Sequence, residues 1–69
     1  MILGIVVSLT FAQAEISTAR AALAAGSNIA ARDHCLVALD LGARPESVTP
    51  ILREALRRMA ESEGQIRRG

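Results

Sequence analysis

The chain contains no lysine, no tryptophan and no tyrosine, and only one phenylalanine, one cysteine and one histidine. Each scarcity removes a class of function. A lone cysteine, Cys35, cannot form a disulfide within the chain. A lone aromatic ring, Phe11, offers no platform on which nucleic-acid bases stack. Charge of one sign is lacking too: eight arginines against seven carboxylates leave a net charge of +1, too little for a strong electrostatic claim on nucleic acid or a membrane surface. The balance is slightly uneven, with two Arg and three acids in residues 1–43 (−1) and six Arg and four acids in residues 44–69 (+2). No Gly-rich phosphate loop, serine-centred elbow or HExxH spacing occurs, and the carboxylates are scattered among arginines, so an enzyme is not expected.

What is present is apolar and small. Hydrophobic residues make up 51% of the 69, but 13 of those 35 are alanine, which buries little area apiece. Residues 1–69 form a single small domain at most, near the lower size limit for folding on its own core. Burial against a partner is therefore expected.

The longest apolar run is MILGIVVSLTF, at the N-terminus. Residues 1–10 form an apolar segment with two readings. Val7, Leu9 and Phe11 alternate with Ser8 and Thr10, the period of a short β-strand with one buried face. The run also ends in Ala-Gln-Ala, as a secretory signal cleaved after Ala14 would, although no Lys or Arg precedes it. A cytoplasmic chain is the expectation, and an exported one follows if residues 1–14 act as a signal. About eleven apolar residues are too few to span a bilayer as a helix, which needs about twenty, so no membrane span is expected.

Residues 11–66 read as a helical body. Thr10 and Gln13 match a capping box, predicting a helix from Phe11 or Ala12 with Ala12, Ile16, Ala19 and Leu23 on one stripe. Gly26 suits the left-handed position past a helix end, and Ser27 or Asn28 can cap the next helix. Ala31, Cys35, Ala38 and Leu39 then share a face, with Gly42 as a second stop. Leu36, Val37 and Leu41 widen the apolar surface beyond one stripe. HCLVALDL is accordingly either a strand or, the preferred reading, a helix covered on two sides. Thr49 suits a cap and Pro50 the first position of a third helix, with Ile51, Leu52, Ala55, Leu56, Met59 and Ala60 on its apolar face and fraying near Gly64. Glu54–Arg58 and Glu63–Arg67 are i,i+4 pairs in the favourable order.

His34 and Cys35 stand side by side, but neighbours on a helix diverge by about 100° and on a strand point to opposite faces, so neither geometry makes a catalytic dyad. Too few nitrogen and sulfur donors exist for a metal site. Cys35 is read as structural and His34 as partly exposed, with no cofactor.

Residues 12–45 resemble one tetratricopeptide repeat. The likeness lies in Ala19, Leu23, Gly26 at the turn, Ala31, Cys35, Ala38, Leu39 and Pro45, while Glu15 and Asn28 occupy two of that family's bulky positions. The resemblance implies a hairpin that binds a peptide or partner protein. Val37, Ala38, Leu41, Gly42, Val48 and Ile51 resemble instead a helix-turn-helix core, which implies that Arg44, Ser47, Thr49 and Arg53 contact DNA, with Glu46 on the same surface. Pro50 departs from that pattern. A ribbon-helix-helix resemblance would pair residues 5–11 across a dimer, with Val6, Ser8 and Thr10 outward.

The expectation is thus a mostly α, three-helix arrangement: a hairpin at 11–41, an amphipathic helix from about 50, and an apolar N-terminal segment. Its expected role is non-enzymatic binding to a protein partner or to its own copies, with Leu36, Val37 and Leu41 as interface candidates. A small dimeric DNA-binding regulator is the alternative.

Overall fold

A computed structural model describes the backbone of residues 2–68 and the side chains of residues 9–64. The described residues form three helices, α1 (Ile2–Ala24), α2 (Asn28–Asp40) and α3 (Pro45–Arg68). Among the described residues there is no strand, and HCLVALDL lies within α2. The packing of residues 1–8, on which the strand and signal readings of the N-terminus turn, lies outside the described side chains.

Both interhelical turns are built by one device. Past α1 the Gly26 N–H donates to the Leu23 carbonyl at 3.1 Å and the Ser27 N–H to the Ala22 carbonyl at 2.8 Å. Past α2 the Gly42 N–H donates to Leu39 at 3.1 Å and the Ala43 N–H to Ala38 at 2.9 Å. These are two Schellman closures, which satisfy carbonyls that the helix end leaves without partners. Each requires positive φ at the glycine, observed as 83° at Gly26 and 103° at Gly42. The same Ala-Leu-x-x-Gly pattern writes both, at Ala22–Gly26 and Ala38–Gly42.

Several helix boundaries differ from the sequence expectation. Thr10 and Gln13 lie inside α1, so their capping-box pattern starts no helix. Ser27 does occupy the cap position of α2 and its carbonyl accepts the Ala31 N–H at 3.0 Å, but its side chain makes no capping bond. The start of α3 moves furthest. It begins at Pro45, not at Pro50, and it runs through Gly64 to Arg68. Pro45 takes the first helical position, where a missing N–H costs nothing. Pro50 then falls inside the helix, where it withholds a bond from the Glu46 carbonyl and crowds Thr49. The Thr49 hydroxyl donates to the Pro45 carbonyl at 2.7 Å. The added turn buries Val48, which is 1% exposed, and that burial offsets the lost bond.

Among the described side chains the buried apolar residues are Ala12, Ile16 and Ala19 of α1, Ala31, Cys35 and Ala38 of α2, and Val48, Ile51 and Ala55 of α3. Five of these nine are alanine, so α1 and α2 approach closely while enclosing little apolar volume. Leu23, Leu39, Ala43 and Leu52 pack half-buried around this centre. α2 lies between the other two, which meet each other more sparsely. The molecule measures 54 × 18 × 13 Å. Its long dimension exceeds the ~36 Å of a 24-residue helix, so α1 and α3 overhang the short α2 at opposite ends.

Candidate interaction surface

The three sequence-derived interface residues do not share one face. Leu36 is 48% exposed, Val37 is 45% exposed and Leu41 is half-buried. Leu36 lies seven residues, two turns, from Ile29 on one line of α2. Ile29, 59% exposed, lines a groove of about 460 Å³ between the first interhelical turn and α3, whose wall includes Met59, Ser62 and Glu63. That flank of α2 therefore borders α3. Val37 and Leu41 sit about 100° or more further round, on the flank that borders α1. There the His34 Nδ1 lies 2.5 Å from the Glu15 Oε2, joining the two helices. Phe11, one turn before Glu15, is exposed on that flank of α1.

A second apolar surface runs along α2 and α3. Leu56 is 47% exposed, with half-buried Leu52 and Met59 beside it. Thr49, Leu52, Arg53 and Leu56 line a second shallow groove on α3. Ile29, Leu36, Leu52, Leu56 and Met59 thus form a surface that the sequence reading of Leu36, Val37 and Leu41 missed in part. Leu52, Leu56 and Met59 were legible as an apolar face of α3, but their width beyond Ile51 and Ala55 exceeds what one small neighbour covers. Ile29 gave no such signal, because it follows the turn and lies off the Ala31–Cys35–Ala38 stripe.

The DNA-contact candidates are dispersed. Arg44, Ser47, Thr49 and Arg53 are all exposed. Ser47, however, lines a cleft with Gln13, Ile16, Ser17 and Arg20 of α1, whereas Thr49 and Arg53 line the groove on the far flank of α3.

Charged side chains border these surfaces in pairs. Arg58 donates to Glu54 at 2.9 Å and, through Nη1, to the Leu23 carbonyl at 2.9 Å, tying α3 to the end of α1. Arg57 bridges Glu54 and Glu61. The two guanidinium groups hold the Glu54 carboxyl well below the usual range, at about 2. Arg32 pairs with Asp33 at 2.8 Å. The Glu54–Arg58 pair agrees with the expected spacing, while Arg67 of the second expected pair lies outside the described side chains. Arg53 has no ion-pair partner among the described residues.

Burial pushes the Cys35 thiol up, which leaves it a small apolar side chain at neutral pH. Its neighbour His34 turns to Glu15, so the adjacent pair makes no dyad. Among the described residues no group of three or more His, Cys, Asp or Glu is placed to hold a metal ion. Among them, too, no helix is long and apolar enough to cross a membrane. Compared with family models, curated proteins and solved structures, the chain matches none.

Proposed function

We propose that this chain is a non-enzymatic assembly module that binds other protein chains, its own copies included, through apolar helical faces. One observation carries the reading. Ile29, Leu36 and Leu56 are each about half exposed along α2 and α3, while five of the nine buried residues among the described side chains are alanine. Large apolar side chains left half exposed beside an alanine-rich centre gain by burial against a partner. A groove between two helices with apolar walls suits an amphipathic helix as occupant.

The test is solution mass by light scattering, with Leu36→Asp and Val37→Asp as variants. Leu36→Asp is expected to lower the mass more than Val37→Asp, since Leu36 shares its flank of α2 with Ile29, which lines the groove against α3. Circular dichroism should show unchanged helix content, because both side chains are outside the core. Duplex DNA binding that falls steeply with salt, together with a mass indifferent to both substitutions, would overturn the reading in favour of a DNA-binding regulator.

A further inference from the structure

We infer that the cleft between α1 and α3 binds a phosphate monoester, held by Arg20 together with Gln13, Ser17 and Ser47. The site lies apart from the apolar faces of α2 and α3 and is independent of the assembly reading.

The cleft has a volume of about 270 Å³, lies between two helices that meet sparsely, and is lined by Gln13, Ile16, Ser17, Arg20 and Ser47. Gln13, Ser17 and Arg20 follow one another four and three residues apart, which sets them on one line of α1. Ile16 is buried beside that line and shares its core with Val48, the neighbour of Ser47. The packing of Ile16 and Val48 thus brings Ser47 across from the α1 side chains. All four polar residues are exposed and open to a ligand from solvent.

None of these four side chains has a hydrogen-bond or ion-pair partner among the described residues. Neighbouring hydroxyls behave differently. Thr18 donates to the Ala14 carbonyl at 2.9 Å and Thr49 to the Pro45 carbonyl at 2.7 Å. The arginines divide in the same way. Arg32, Arg57 and Arg58 are each paired with a carboxylate, whereas Arg20, Arg44 and Arg53 have no such partner among the described residues. Arg53 lies among Leu52, Leu56 and the committed Thr49, so only Arg20 shares a cleft with other uncommitted donors. No carboxylate lines that cleft. Glu15 is turned to His34 on the flank facing α2, and Glu46 lies about 100° round α3 from Ser47.

The chemistry of the lining selects the ligand. The guanidinium presents a fork of N–H donors, the Gln13 amide two more, and each serine hydroxyl one. Every polar group there can donate, and the single full charge is positive, so the complement is an oxyanion. A guanidinium fork matches two phosphate oxygens at once. With the amide and both hydroxyls added, the donors suit the three terminal oxygens of a monoester better than the two free oxygens of a diester.

The experiment titrates the full chain with methyl phosphate at constant ionic strength, following backbone and arginine Nε–H shifts by NMR. Dimethyl phosphate, methanol and sodium chloride serve as comparison ligands. Methyl phosphate should produce saturating shifts centred on Gln13, Ser17, Arg20 and Ser47. Dimethyl phosphate should bind more weakly, and methanol and chloride should leave these signals in place. Arg20→Gln should weaken binding at least about tenfold, the loss expected of a charge-assisted pair, and Arg20→Lys should recover part of it. Arg53→Gln removes the same charge outside the cleft and should leave the affinity within about twofold, because exposed charges at a distance are screened. Circular dichroism should show all three variants folded as the parent, since both arginines are exposed. Shifts that grow without saturating, a parent and Arg20→Gln that bind alike, or equal losses in Arg20→Gln and Arg53→Gln would each overturn the inference. Dimethyl phosphate bound as tightly as methyl phosphate would overturn the assignment to a monoester.

Discussion

The guanidinium of Arg58 donates to the main-chain carbonyl of Leu23 at 2.9 Å across 35 residues of sequence, closing the end of α1 with a side chain from α3. The same carbonyl accepts the Gly26 N–H, so the cationic group reinforces a helix end already satisfied by the turn. α1 and α3 meet sparsely elsewhere, which makes this bond a principal link between them.

Replacing Arg58 by Ala should therefore destabilise the fold modestly. A charge-assisted bond on a half-exposed side chain contributes about 1 kcal/mol after allowance for solvent screening. In a domain of this size that corresponds to a fall in Tm of about 4–8 °C, read by thermal unfolding. Arg58→Lys should recover only part, because an ammonium cannot serve Glu54 and Leu23 with the same fixed fork. An unchanged Tm in Arg58→Ala would show the bond to be dispensable.

Alkaline pH should destabilise the protein through Cys35. Burial raises the folded-state thiol above its ordinary 9.0, so the unfolded thiol ionises first. The stabilising contribution is full below pH 9 and is lost as pH rises beyond it. The chain has neither lysine nor tyrosine, so apart from the terminal amine no other group titrates in this window. Tm measured from pH 8 to 11 should fall in the parent and fall less in Cys35→Ala. Parallel curves would place the alkaline response elsewhere.

Acid should act through Glu54. Its folded carboxyl is lowered from 4.5 to about 2 by hydrogen bonds from Arg57 and Arg58. A depressed carboxyl stabilises above the unfolded value, and that contribution disappears as pH falls from 4.5 towards 2. The Tm difference between the parent and Glu54→Gln should accordingly be largest near neutrality and shrink across that interval. Carboxyl chemical shifts followed by NMR through the same range provide the direct check, and a Glu54 midpoint near 4.5 would contradict the arrangement.

At Gly42 the backbone carries φ of 103°, and a Cβ built there would meet nothing within 4 Å. The cost of Gly42→Ala is then conformational alone, about 1–2 kcal/mol. A synthetic chain with D-alanine at position 42 should unfold near the parent's temperature, since the mirror-image residue favours positive φ. Equal losses for both residues would point to crowding in place of backbone strain.

The amino-acid sequence alone determined three helices and their two stops. The reason is local: positive φ at Gly26 and Gly42 depends on a missing Cβ, and the spacing of Ala31, Cys35 and Ala38 places them on one side of any helix. It placed Cys35 on that apolar stripe as well, and the side chain is buried there. Where two residues satisfied the same local rule, the sequence left the outcome open. Pro45 and Pro50 both suit a first helical position, and only the burial of Val48 against α1 and α2 selected the earlier one. Tertiary structure also decided which flank of α2 meets α3. That docking sends Leu36 to one apolar face and Val37 to another. Glu15 with His34, and Leu23 with Arg58, became partners for the same reason: contacts 19 and 35 residues apart exist only after the helices have packed, and no spacing within a single helix encodes them.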